Sequence, residues 1–348
     1  MKVAETIAIA REWVEQKGRR QPGFRAAHLM GSLTVLPREA SFPIYRDVDI
    51  GIVLSGEAWS EQENVGGPYR GLVIDCGFYP DECYHSPEVV LSDPGLAPHL
   101  AADSVLCDPH GMLGKIQDVV VREYARRHWV RTRCESQKRL ALHRLDQLDQ
   151  ADSVENFCET LYLLVVQPLC GLLAIACLRN PTHRRSLALA RELLMQAGRP
   201  ALHEALLDLL GHASLSREEV SAWLEPLSAA FEYAVAVKRS PSPFGFKVHP
   251  DFLPYFVEGA RELIDEGLHR EAMWWLVCGY WLSNAVIQND GSPEAKALHY
   301  AQFGRIRGTL VTSTALERHT RTRVARRIAD EIFALADELV DQNQLIAD

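Results

Sequence analysis

The chain has 348 residues, 47% of them hydrophobic, with 46 acidic against 37 basic side chains and a formal net charge of −9. That length supports two ordinary domains with separate cores, and that composition excludes a disordered or fibrous chain. The acidic balance argues against broad binding to a nucleic-acid backbone, which needs a surplus of lysine and arginine at the contact face.

Residues 3–17 place Val3, Ile7, Ala10 and Val14 three or four apart with charges elsewhere, which predicts an amphipathic helix ended by Gly18. Runs rich in β-branched residues predict strands at 24–29, 48–54 and 72–78. Residues 80–98 are rich in proline and aspartate and predict irregular chain with one helical turn at 87–91. A short apolar strand follows in DSVLC, and Asp108 is expected as a turn and capping residue ahead of the next helix.

From Gly114 onward the periodicity is helical. Helices are predicted at about 154–177, 184–197, 199–211, 216–237, 253–266, 270–288, 293–307 and 316–344, with Ser216 and Glu219 in capping-box spacing. No repeat period emerges, so these helices are expected to form one bundle. Residues 161–178 are uncharged and nearly long enough to span a membrane. Gln167 and Pro168 interrupt them and no second such run exists, so a buried, kinked helix is expected and no membrane partner.

The arginine-rich segment 121–144 is expected to form a solvated helix face laced with ion pairs. The proline-rich linker 238–254 is expected to be a helix connection or a binding loop, with Phe244, Phe246 and His249 as its candidate contacts. Trp274, Trp275, Tyr280 and Trp281 crowd one predicted helix and are expected in the core. The eight cysteines lack any C-x-x-C pair and no apolar leader follows Met1, so a cytoplasmic protein with free thiols is expected. The histidines lack metal-ligand spacing, and no P-loop, dinucleotide fingerprint or serine nucleophile elbow is present.

One constellation carries chemistry. Asp47 and Asp49 open the predicted strand VDIGIVLS, and residues two apart on a strand project to one face. Two carboxylates held that close repel each other unless a cation lies between them, and hard oxygen ligands suit Mg²⁺. Asp75, in the next predicted strand GLVIDCGFYP, is placed to come up beside the pair, because sequential strands are usually neighbours. Mg²⁺ on so few protein carboxylates usually completes its shell with water and substrate phosphates, which points to a nucleoside triphosphate. Gly31-Ser32, a turn after the strand GFRAAHLM, offers backbone N–H groups and a hydroxyl to phosphate oxygens.

Gly31-Ser32, then Asp47-x-Asp49, then Asp75 on a later strand resembles the signature of the nucleotidyltransferase superfamily that includes the aminoglycoside adenylyltransferases. The resemblance implies an α+β chain: an N-terminal nucleotidyltransferase α/β domain with a mixed sheet over residues 1–112, then an all-α acceptor-binding bundle over 113–348. It implies transfer of a nucleoside monophosphate, AMP from ATP in the first instance, to a hydroxyl of a small molecule of aminoglycoside type. Asp47 and Asp49 would hold Mg²⁺, Gly31 and Ser32 would hold phosphates, and Asp75 would be a further metal ligand or the base that takes the acceptor's proton. This chain departs from the family in the long loop carrying Pro37 and Pro43, and in Arg46, where a serine commonly precedes the first aspartate; Arg46 is expected to face the triphosphate. The alternatives are a nucleotidyltransferase acting on protein or tRNA, served by Arg126, Arg127, Arg131 and Lys138, and a non-catalytic nucleotide-binding or antitoxin-like interaction protein. For a cationic small acceptor, Glu258, Glu262, Asp265 and Glu271 are the candidate carboxylates of the helical half.

Overall fold

A computed structural model describes residues 1–43, 45–59, 65–180, 182–242, 244–310 and 314–348, with the backbone alone for 307–310. The chain is α+β, and among the described residues every strand lies in the N-terminal part with helices after it. It forms two compact units, one of 1–134 with 178–182 and 343–348, the other of 135–177 with 183–342.

The first unit begins with helix α1 (Val3–Gln16), which buries Val3, Ile7, Ala10, Trp13 and Val14 on one face. Its first turn is closed by the Glu5 carboxylate accepting from the Lys2 N–H. Strands β1 (Phe24–Leu29) and β2 (Asp47–Leu54) follow, then a one-turn helix α2 (Gly56–Trp59), β3 (Val65–Tyr69) and β4 (Leu72–Pro80). Short helices α3 (Pro87–Ser92) and α4 (Ala97–Leu100), strand β5 (Val105–Cys107) and helix α5 (Met112–Glu123) complete the core of this unit. The sheet is mixed, in the order β3-β4-β2-β1-β5, with β2 and β4 parallel and the other pairs antiparallel.

The alternation of the strands gives the sheet two distinct faces. Ala27, Leu29, Val48, Ile50, Ile52, Leu54, Ile74 and Cys76 pack with the apolar stripe of α1. Gly18 lets that packing close up, since a Cβ there would stand 3.1 Å from Ile52 Cδ1. On the other face Ala26 and Val53 meet Tyr84, Val90, Leu91, Leu100, Leu113 and Ile116. Asp108 acts as the expected cap, its carboxylate accepting from the N–H groups of Met112 (2.9 Å) and Gly114 (2.8 Å).

The first unit runs past residue 112 because α5 and the start of α6 (Arg127–Asp149) pack with it. Arg133 explains the tie: it is 1% exposed, donates to the carbonyls of Leu91 and Tyr124, and lies over the Tyr124 ring. That overturns the expectation of a wholly solvated basic face. The rest of the segment fits it, with Arg126 beside Glu123, Arg127 beside Asp348 and Lys138 bound by Glu135 and Asp337.

Among the described residues, the regular elements of the second unit are helices: the rest of α6, then α7 (Val154–Leu164), α8 (Cys170–Ala176), α9 (Ser186–Gln196), α10 (Pro200–Leu209), α11 (Arg217–Ser221), α12 (Leu224–Val237), α13 (Leu253–Asp265), α14 (His269–Asp290), α15 (Pro293–Leu310) and α16 (Ala315–Gln342). The apolar run is a helix long and apolar enough to cross a membrane, yet 78% of its most apolar window is buried. Pro168 is absorbed by a π-helical turn, Val165–Leu169, between α7 and α8. Trp274 and Trp275 are buried and donate to the carbonyls of His183 and Tyr255. In the linker, where Pro243 lies outside the described residues, Lys238 Nζ donates to the carbonyls of Gly245 and Val248. There Phe246 meets Phe252 edge-on and His249 accepts from the Asp251 N–H, while Phe244 is exposed. All eight cysteines are free thiols.

Burial leaves a pH signature. His28 is fully enclosed and desolvation lowers its pKa to about 4, and His99 is lowered to about 3 by burial and by the charge of His28. The unfolded chain protonates these rings below its ordinary pKa near 6.5, whereas the folded chain resists until about 4, so stability falls as pH drops through that window. We predict a loss on the order of 2–3 kcal/mol per histidine between pH 6.5 and 4. In thermal melts across that range, His28→Gln starts less stable but shows a shallower decline; an unchanged slope contradicts this.

Candidate metal centre

The register of the two parallel strands builds the site. Asp49 on β2 lies directly opposite Asp75 on β4, and Asp47 opposite Val73, so the three aspartates share one face. One carboxylate oxygen from each lies within 4.8 Å of the other two. Asp47 is 9% exposed and the other two are half-buried. Three hard, anionic donors converging at that spacing fit a divalent cation, and the donor set favours an ion that prefers oxygen.

The chain leaving β1 closes one side. Met30 N–H donates to the Asp49 carbonyl at 2.9 Å, which fixes where β1 ends. Gly31–Thr34 then makes one 3₁₀ turn, with the Thr34 hydroxyl donating to the Gly31 carbonyl at 2.8 Å. Gly31 has φ +61°, and a Cβ there would fall 1.8 Å from Asp49 Oδ2. Only glycine permits both that backbone and that closeness. Ser32 occupies the same turn, half-buried, and its carbonyl accepts from Val35 N–H at 3.2 Å. Arg46 lies in the bend before β2, half-buried, with its N–H on the Pro43 carbonyl.

Next along the same face lies a second register pair, Gly51 opposite Gly77. A Cβ on Gly51 would stand 2.8 Å from His28 Nε2 and 3.1 Å from Met30 Sδ; one on Gly77 would stand 3.3 Å from the Tyr79 ring. The paired glycines thus form a floor over which His28, Met30 and Tyr79 fold. His28 Nδ1 faces the Leu29 carbonyl at 3.0 Å and must carry the proton, so Nε2 accepts from Tyr84 Oη at 2.8 Å. Burial first, then the charges of Asp49 and Asp75, push the Tyr79 hydroxyl up to about 12, so it stays protonated beside the acids.

Of the sequence-predicted residues, Asp47, Asp49, Asp75 and Gly31 come together, with Ser32 in the adjoining turn. The four acids of the helical half are instead matched locally: Glu258 with Arg261, Glu262 with Arg184, Asp265 with Arg217, and buried Glu271 with His203 and Arg191. Tyr79 and Met30 were not singled out from sequence. Tyr79 carries a usable signal, since it shares strand parity with Asp75; Met30 carries none. No protein-family model matches the chain, and no curated protein does.

Removing one charge should act in opposite directions with and without the ion. With chelator present, Asp75→Asn relieves like-charge repulsion and raises stability by about 1 kcal/mol. With excess divalent cation, it loses the stabilisation that binding gives the wild type. Melting temperatures under the two conditions check this, and a wild type indifferent to the cation contradicts it.

Proposed function

We propose that the chain is a divalent-metal-dependent nucleotidyltransferase of the adenylyltransferase kind, moving a nucleoside monophosphate, AMP from ATP in the first instance, to a hydroxyl of a small acceptor. The observation that carries the reading is the three-aspartate face beside the glycine turn Gly31–Thr34. Asp47 and Asp49 would hold Mg²⁺, and Asp75 would be either a further metal ligand or the base. When bound, the ion supplies positive charge against the phosphates and the pyrophosphate that departs.

The chain's own residues have the remaining tasks. Gly31 and Ser32 would offer backbone N–H groups and one hydroxyl to phosphate oxygens. As the base, Asp75, half-buried, would accept the acceptor's proton on a carboxylate oxygen as its hydroxyl oxygen bonds to the α-phosphorus and the bond to the β-phosphate breaks. Tyr79, kept protonated, is a hydrogen-bond donor at the same edge.

Two observations shape the acceptor. Three of the cations that would serve tRNA are engaged: Arg126, Arg127 and Lys138 each face a carboxylate. That favours a small acceptor over a polyanion. With Glu258, Glu262, Asp265 and Glu271 matched to local cations, any preference for a cationic acceptor rests on the aspartate face alone.

Asp47→Asn and Asp49→Asn should each lower metal-dependent pyrophosphate release by roughly 100-fold or more while the far-UV spectrum stays that of the wild type. Labelled ATP with Mg²⁺, offered to aminoglycosides, other hydroxylated metabolites and bulk tRNA, should label a small molecule. Label on RNA or protein alone refutes the acceptor class, and metal-dependent binding without pyrophosphate release refutes catalysis.

A further inference from the structure

Resting on the nucleotidyltransferase reading, we propose that Asn180 is a positioning residue for nucleotide binding: it fixes the Gly31–Thr34 turn against Asp49. Asn180 stands 149 residues beyond Gly31, yet its Nδ2 lies 3.1 Å from the Gly31 carbonyl and 3.3 Å from Thr34 Oγ1. The carbonyl only accepts, and the Thr34 proton is already given to that carbonyl, so Thr34 Oγ1 also accepts. Both partners therefore require the amide nitrogen, not its oxygen, and the two acceptors, 2.8 Å from each other, lie together on its donor side.

The chain reaches this place by a costly route. Residues 178–182 belong to the first unit, although α8 before them and α9 after them belong to the second. The excursion begins at Leu178 with φ +54°, a left-handed conformation that disfavours a branched side chain. It ends with the Thr182 N–H on the Asn180 carbonyl at 3.0 Å. Asn180 thus arrives with its backbone shaped and its side chain on the turn.

The contact acts through Gly31. That residue lies so close to Asp49 that a Cβ on it would overlap the carboxylate. Holding its carbonyl would fix the turn's height above the aspartates, and with it the distance between the turn's N–H groups and the three carboxylates. A nucleotide that spans both would be sensitive to that distance, whereas the acceptor would not.

The test uses the full-length protein with Asn180→Ala and with the isosteric Asn180→Asp, which keeps the shape but removes both donors. In Asn180→Ala and Asn180→Asp the KM for ATP should rise roughly tenfold, about the effect of one net hydrogen bond, with kcat within about threefold and the acceptor KM unchanged. In the unliganded variants, amide hydrogen exchange should quicken roughly tenfold across residues 31–35 and stay unchanged in β2. Faster exchange with an unaltered ATP KM, or no change in either, overturns the proposal while leaving the nucleotidyltransferase reading in place. A wild type that neither binds nor turns over ATP with Mg²⁺ overturns the reading and this proposal together.

Discussion

Three carboxylates on one sheet face repel one another, and the first unit is arranged so that they cannot move apart. The parallel pairing of β2 with β4 sets Asp49 against Asp75, and strand periodicity carries Asp47 to the same side. Moving β4 by one residue would send Asp75 to the α1 side, where Ile74 and Cys76 now pack, and would put an unpaired charge in an apolar core. Register and core packing therefore hold the acids together against their own electrostatics. A cation at their centre would turn that repulsion into a source of affinity.

Glycines surround the acids because side chains there would displace what the site needs. Gly31 brings a turn into contact with Asp49, and the pair Gly51 and Gly77 makes room for His28, Met30 and Tyr79 on the face that bears the acids. His28 joins this edge to the core, since its ring bridges the Leu29 carbonyl and the Tyr84 hydroxyl while remaining neutral. The aromatic and histidine groups beside the acids are thus held neutral by burial, and they add shape and hydrogen bonds without opposing charge.

Much of this is legible in the sequence, and what is not has physical causes. The i, i+2 spacing of Asp47 and Asp49 needs only strand periodicity, and α1 needs only the spacing of Val3, Ile7, Ala10 and Val14. Strand β3 went unforeseen because VGGPY has two glycines and a proline; an edge strand tolerates Pro68, whose missing N–H costs no ladder bond on its open side. Burial of Arg133 is hidden within an arginine-rich helix, where only tertiary packing sets it apart from Arg131. Asn180 has no local signal at all, because its partners lie 149 and 146 residues away. Composition likewise cannot show that Glu258, Glu262, Asp265 and Glu271 each have a cation close by.

The central claim is that the aspartate face and the glycine turn act as one site for a metal and a triphosphate. Crystals grown with Mn²⁺ and a non-hydrolysable ATP analogue, measured for anomalous scattering, address it directly. The account predicts an anomalous peak about 2.1–2.3 Å from carboxylate oxygens of Asp47 and Asp49, with phosphate oxygens on the same ion and the triphosphate lying along Gly31–Thr34. A nucleotide bound elsewhere, or manganese at sites that leave all three aspartates without a ligand bond, would contradict it.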